Sequence, residues 1–263
     1  MIKYIASDLD GTLLHGGAQN LSNEVFDLIR RLKEQGIRFI AASGRQYNNI
    51  YRMFGPVQDD ISYIAENGSL CIHDHEVISR GFIERELGLR IIDYSKKYKG
   101  CNCLLSCEGR CYTDSGDDRF ISHIKNVVKY DMDVVEDLHE VSVPFLKLAM
   151  CDFEHPDRLL PFFQEHFKQE IKVVTSGNIW IDFIAPNANK GTALAGLLHH
   201  LGFDPADGVT FGDQYNDAEM LSLAGTSYAM VNGNPGLRKY ATGVTDSVEK
   251  ILYDILEASE GIS

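Results

Sequence analysis

The stretch Lys3-Tyr4-Ile5-Ala6-Ser7-Asp8-Leu9-Asp10-Gly11-Thr12 decides the fold. It opens as a short apolar run, then breaks into two carboxylates, a glycine and a hydroxyl. A short buried strand with that ending suggests a parallel strand carrying a site at its carboxyl end. The form recurs downstream. Ile37 to Ala42 is a second such run and goes straight into Ser43-Gly44-Arg45, and Ile61 to Ala65 is a third, leading into Glu66-Asn67-Gly68. Between the first two, Val25, Leu28, Ile29 and Leu32 share one helical face, with Ser22 as N-cap and Gly36 as stop. Gln46 to Phe54 reads as a helix halted by Gly55-Pro56. The alternation is that of an α/β fold with a parallel sheet.

Beyond this region the pattern changes. Ser69 to Gly81 reads as a hairpin with Asp74-His75 or His75-Glu76 near its turn, and strands and helices then mix without regular alternation as far as Pro186. Alternation returns after Lys190-Gly191: a helix over Thr192 to Leu201, a strand over Val209 to Phe211, a helix over Asn216 to Ala224, a strand over Thr226 to Met230 and a closing helix over Asp246 to Leu256. The expected organisation is a core of residues 1–81 and 187–263, interrupted by an α+β insert of residues 82–186. At about 150 residues per domain, a chain of this length has room for one or two domains.

Composition excludes several functions. The chain has 263 residues, 44% of them hydrophobic and 24% charged, which is the composition of a folded globular protein. With 25 basic and 38 acidic residues the net charge is −13, which argues against nucleic acid or an anionic membrane surface as partner. No apolar run approaches the roughly 20 residues that span a bilayer. Asp8 comes too early for a secretory signal, so a cytoplasmic location is expected. The six cysteines are then expected as thiols. Cys101, Cys103, Cys107 and Cys111 lack the paired C-x2-C spacing of zinc sites and read instead as small side chains on a hairpin turning at Glu108-Gly109.

Four polar clusters fall at expected strand or helix ends: Asp8/Asp10, Ser43-Gly44, Lys190 and Gly212-Asp213-Gln214-Tyr215-Asn216-Asp217. Ligands of open α/β sheets bind at such ends. Two carboxylates about 6 Å apart repel by roughly 3 kcal/mol at an effective dielectric near 20. Asp8, Asp10, Asp213 and Asp217 in one cleft would therefore take up protons or hold a cation, and hard oxygen ligands favour Mg2+. Lys190 and the Ser43 hydroxyl could then bind a dianionic phosphate beside it. One of Asp8 and Asp10 could attack phosphorus while the other protonates the leaving oxygen.

At these residues the chain resembles the haloacid dehalogenase superfamily, whose four motifs match Asp8 to Leu14, Ser43-Gly44-Arg45, Lys190-Gly191 and Gly212 to Asp217 in order. Glu66-Asn67-Gly68, and the run from Glu219 to Asn232, are similar to its Cof-type sugar-phosphatase branch. The resemblance implies a Rossmann-like core with an inserted α/β cap, and a Mg2+-dependent phosphatase of a small phosphorylated metabolite. It implies Asp8 as nucleophile and Asp10 as general acid/base, with the Asp10 main-chain carbonyl on the metal. It implies Ser43, Gly44 and Asn216 at the phosphate, Lys190 between phosphate and nucleophile, Asp213 on the metal and Asp217 behind it. The branch usually has Gly where Gln214 stands, and the run Thr245-Asp246-Ser247 also departs from its pattern. The rivals are a phosphomutase with the same nucleophile and a phosphate-binding regulatory module.

Other residues read more blandly. Thr12 is expected as a turn hydroxyl, and His199-His200 point to different helix faces, which disfavours a metal pair. His73 and His75 are expected as solvated hairpin residues. Trp180, Phe183 and Tyr112 read equally as core of the insert or as a platform for substrate.

Overall fold

The computed structural model describes residues 2–176 and 179–260. The chain begins with β1 (Tyr4–Ser7), α1 (Asn23–Glu34), β2 (Arg38–Ala42), α2 (Tyr47–Met53) and β3 (Ser62–Ala65), followed by the hairpin β4 (Leu70–His73) and β5 (Glu76–Arg80). A second unit follows: α3 (Arg85–Ser95), β6 (Asn102–Cys107), β7 (Arg110–Thr113), α4 (Asp118–Ser122), β8 (Met132–Val134), β9 (Lys147–Cys151), α5 (Pro156–Phe167), β10 (Lys172–Ser176) and β11 (Trp180–Ile184). The chain closes with α6 (Lys190–Leu201), β12 (Gly208–Gly212), α7 (Ala218–Leu223), β13 (Thr226–Met230), β14 (Gly243–Thr245) and α8 (Val248–Glu260).

The first and last groups share one sheet, ordered β14-β13-β12-β1-β2-β3-β4-β5. Its strands run parallel from β14 to β3, and the hairpin extends it antiparallel. Alternation along each strand splits the core in two. Ile5, Phe39 and Ala41 face the apolar side chains of α1 and α8, while Tyr4, Ala6, Ile40 and Ala42 face α6 and α7. From β1 the chain goes one way to β2 and β3 and later returns on the other side to β12. The carboxyl ends of β1 and β12 therefore flank a topological switch point, where such sheets open a crevice.

The second sheet, β10-β11-β9-β6-β7-β8, is antiparallel apart from β7 and β8. It is the core of an inserted α+β cap. One face packs Leu105, Leu148, Met150 and Phe183 under α3 and α5. The other face looks towards the crevice. The cap docks on α2: Gln46 exchanges two hydrogen bonds with the Asp131 backbone, Asn48 donates to Asp131 at 3.0 Å and Asn49 to the Val128 carbonyl at 2.8 Å. Among the described residues, no helix is long and apolar enough to cross a membrane.

Several local expectations shift. The helix expected from Thr192 starts two residues earlier, because Asn189 and Thr192 cap each other reciprocally and put Lys190 in the first turn. The helix expected from Asn216 begins with a 3-10 turn, Tyr215–Asp217, before α7. The Cys-rich hairpin turns at Glu108-Gly109 as expected, and Cys103, Cys107, Cys111 and Cys151 are buried thiols. His73 corrects its expectation: it is buried, its Nδ1 lies 2.8 Å from Ser62 Oγ, and it packs edge-on against His200. Phe183 lies wholly in the cap core, Tyr112 packs beside that core, and Trp180 lies on the crevice side.

Candidate active site

The acidic group forms because two parallel strands end side by side. Asp8 leaves β1 with its N–H still bonded to the Phe211 carbonyl of β12, 3.0 Å away, so Asp8 and Asp213 emerge together. Gly11, at φ +86°, turns the β1 loop back over them. A side chain there would be strained by that φ and would collide with the Asp213 carboxylate. One carboxylate oxygen each from Asp8, Asp213 and Asp217 lie within 4.8 Å of one another. Lys190, wholly buried at the start of α6, bridges two of them, with Nζ 2.6 Å from Asp8 Oδ1 and 2.6 Å from Asp217 Oδ1. The second oxygen of Asp217 accepts the backbone N–H groups of Asp213 and Gln214. Asp217 is thus fully engaged within the protein, whereas Asp8 Oδ2 is buried and unpartnered.

The electrostatics suit a cation. Burial pushes the Asp8 carboxyl well above its ordinary range, and Asp217, Asp213 and Asp10 add to the push against Lys190. Burial, then Asp217, raises Asp213 to about 7. Burial works against the Lys190 ammonium too, but Asp217 and Asp8 outweigh it and hold it charged above the usual lysine range. An orphaned carboxylate oxygen beside hard oxygen donors fits a divalent ion such as Mg2+.

Asp10 stands apart from this trio. Its carboxylate is gripped in two places by Arg45, at 2.8 Å from Nε and 2.6 Å from Nη2. Arg45 also donates to Gln19 and Asn49, and Asn49 reaches the cap at Val128. Two cations, Lys190 and Arg45, therefore share the charge of the four carboxylates. Ser43 is buried after β2, and its Oγ accepts from the Arg45 N–H at 3.2 Å. Asn216 spends its Nδ2 on Asn67 Oδ1, 3.0 Å away, and its own Oδ1 is a buried acceptor without partner. A phosphate donor at Asn216 requires that amide turned over. Thr12 sits in the Asp10 turn with its hydroxyl buried and unpartnered.

A second charged knot lies where core and cap meet. Glu66 and Asn67, both at positive φ, turn the chain after β3. Lys147 of cap strand β9 lies 3.1 Å from Glu66 Oε2 and donates to the Gly44 carbonyl at 2.5 Å. Asp182 of β11 is 3.7 Å from the same ammonium and accepts from Asn67 at 2.7 Å. Burial opposes the Lys147 charge, but Asp182 and Glu66 hold it above the usual lysine range. Sequence reasoning missed Arg45, Asn67, Lys147 and Asp182 as site residues. A signal was there for two of them: Lys147 and Asp182 are single charges inside otherwise apolar strands, where burial demands a partner. Together these groups surround a cavity of about 240 Å3, walled on one side by Asp8, Asp10, Gly44, Arg45 and Asp213 and on the other by cap residues.

A parallel sheet with carboxylates at its switch point and an inserted cap above them defines a class. The family described as haloacid dehalogenase-like hydrolase matches residues 5–251. The chain belongs to that family and is an enzyme of its phosphatase type. It is 27% identical over 264 residues to the 5-amino-6-(5-phospho-D-ribitylamino)uracil phosphatase YbjI of Escherichia coli, covering 95% of this chain and 96% of that one. The crystal structure of SMU.1108c from Streptococcus mutans is 26% identical, with a TM-score of 0.86 over 98% of this chain and all of the other (100%). The subclass IIB sugar phosphatase BT4131, 20% identical, shares the fold with a TM-score of 0.80 over 96% of this chain and 98% of its own.

Proposed function

We propose that the chain is a Mg2+-dependent phosphomonoesterase acting on a small phosphorylated metabolite of the sugar-phosphate kind, through an aspartyl-phosphate on Asp8. The observation that carries this reading is the pair of Asp8 oxygens: Oδ1 held by Lys190 at 2.6 Å and Oδ2 buried without partner beside the cavity. In-line attack by a carboxylate oxygen forms an Asp8–phosphorus bond and breaks the bond from phosphorus to the substrate oxygen. Asp10 gives that leaving oxygen its proton, for which it must first leave the Arg45 pair that holds both its oxygens and take up a proton. A water then attacks phosphorus, the Asp8–phosphorus bond breaks, and Asp10 takes the water's proton.

Lys190 would pair with both nucleophile and phosphoryl oxygens, a role its 2.6 Å contact with Asp8 supports. Ser43 and the Gly44 backbone supply further contacts to the phosphate, with Asn216 beside them. Asp8, Asp213 and the Asp10 main-chain carbonyl would hold the cation, with Asp217 orienting the group from behind. When bound, the cation keeps the carboxylates ionised and neutralises phosphoryl charge. Residues 1–81 and 187–263 form the catalytic core in this reading, and 82–186 the cap that selects the leaving group. The E. coli relative is named for a phosphate ester on a hydroxylated chain, which agrees with the sugar-phosphate class.

The test is phosphate release from a set of phosphorylated metabolites with Mg2+. Asp8→Asn is expected to lower kcat by at least about a thousandfold, and EDTA to abolish turnover reversibly. Inorganic phosphate should accumulate rather than an isomeric sugar phosphate. Undiminished release by Asp8→Asn removes the covalent mechanism.

A further inference from the structure

The loop that follows β2 has each of its first three carbonyls tied down. The Ser43 carbonyl accepts the Asn67 N–H at 3.0 Å, and the Arg45 carbonyl accepts the Glu66 N–H at 3.1 Å. Between them the Gly44 carbonyl accepts Lys147 Nζ at 2.5 Å. The outer two anchors belong to the core, whereas Lys147 is supplied by cap strand β9. A trans peptide points its N–H opposite to its carbonyl. The loop therefore turns its carbonyls towards the Glu66-Asn67 turn and its N–H groups away from it, and Gly44 lines the cavity.

The middle peptide of the loop is bonded at both ends. Lys147 holds its carbonyl, and its N–H, that of Arg45, donates to Ser43 Oγ at 3.2 Å. A hydroxyl oxygen that accepts in this way keeps its own hydrogen to donate elsewhere. A charged donor on the carbonyl polarises the peptide and strengthens the bond made by its N–H. Lys147 is thus linked to the Ser43 hydroxyl through a single peptide unit. Its charge is secured by Glu66 at 3.1 Å and Asp182 at 3.7 Å, which outweigh burial. The same loop is packed from the core by Asn67: a Cβ on Gly44 would lie 3.0 Å from Asn67 Oδ1. Asn67 in turn donates to Asp182 of the cap at 2.7 Å, so cap and core grip the loop together.

Resting on the hydrolase reading above, we propose that Lys147 is a positioning residue for phosphate: through this ammonium the cap sets the Gly44–Arg45 peptide, which aims the Ser43 hydroxyl at the phosphoryl group. The ammonium is spent on Gly44, Glu66 and Asp182, so its effect reaches the substrate through the loop. A cap residue that touched the leaving group would change the ranking of substrates. Lys147 acts on the phosphoryl end and should weaken every phosphate ester alike, and inorganic phosphate with them.

Calorimetric titration with inorganic phosphate in the presence of Mg2+ tests the assignment without turnover. Lys147→Met should weaken phosphate binding by about tenfold, the effect of one hydrogen bond to a charged group. Ser43→Ala should weaken it to a similar degree. Lys147→Met made in the Ser43→Ala background should add less than about threefold, because both changes act through one hydroxyl. Lys147→Met also leaves Glu66 without its counter-charge, so Lys147→Met/Glu66→Gln is the folded control. The double variant should recover melting temperature lost by the single one, but not phosphate affinity. In turnover, kcat/KM should fall by the same factor for every phosphate ester that the wild type hydrolyses. Full phosphate affinity in the double variant, losses that multiply with Ser43→Ala, or an altered ranking of esters overturns the assignment and leaves the hydrolase reading intact. A wild-type chain that binds phosphate but hydrolyses no ester overturns the hydrolase reading alone, and one that binds no phosphate overturns both.

Discussion

Lys190 illustrates how much rests on one side chain. Its ammonium stands between two buried carboxylates at 2.6 Å each, and its own solvation is lost. Removing one partner from a buried ion pair is costly because the remaining charge has nowhere to go. Lys190→Met should therefore destabilise the protein by about 3 kcal/mol near neutral pH, measured by urea denaturation without added metal. The loss should be smaller at pH 5, where Asp8, whose carboxyl burial pushes well above its ordinary range, can escape by taking up a proton. An equal loss at both pH values would mean that packing, not charge, is what Lys190 supplies. The motif Asp8-Leu9-Asp10 and Lys190 were legible in the sequence because turn chemistry and charge repulsion act locally. The partnership of Asp10 with Arg45 was not, since 35 residues, a helix and a strand separate them.

At the scale of elements, α6 carries Lys190 to the crevice, and its neighbour α7 fixes how close it can come. Gly191 makes that approach possible: a Cβ there would lie 2.7 Å from the Glu219 backbone carbon and 2.9 Å from its oxygen. Backbone cannot yield as a side chain tip can. Gly191→Val should separate the two helices, lower the midpoint of thermal unfolding by several degrees and displace Lys190 from Asp8, with turnover falling more than tenfold. Gly196, on the same helix but with open space around it, is the control: Gly196→Ala should raise stability slightly through helix propensity. Circular dichroism melts and a phosphate-release assay read both. The elements themselves followed from apolar periodicity, and their ends moved by a few residues: α6 starts two residues early under the Asn189 cap, and α8 runs over Val248–Glu260 rather than Asp246 to Leu256. The strand β14 and the π-helical turn His123–Val128 carried no such periodic signal.

For the whole molecule, the clustering of acids at one crevice sets a pH dependence. Asp213 titrates near 7 in the folded chain against an ordinary value of 3.8, and Asp8 is raised as well. A carboxyl with a raised folded pKa binds more protons folded than unfolded between those two values. Stability contributed by that proton is present at low pH and falls as pH rises from about 4 through about 7. Metal-free protein should accordingly melt at a higher temperature at pH 5 than at pH 8. Mg2+ should raise the melting temperature most at pH 8, where the carboxylates are ionised and the ion does not compete with protons. Calorimetry at both pH values with EDTA or Mg2+ checks this, and a metal-free optimum at pH 8 contradicts it.

The order of strands and helices, the excursion into an insert and the carboxylates at the first and last parallel strands were determined by the sequence itself, because periodicity, turn residues and charge are properties of neighbouring positions. Which cap residues face the crevice, and that Arg45, Lys147 and Asp182 join the site, was decided only by the tertiary structure. Their pairings run between β2 and the β1 loop, between cap and core, and across the cap sheet. Such long-range contacts are selected by the burial of charge that must find a partner, and no local pattern names that partner in advance.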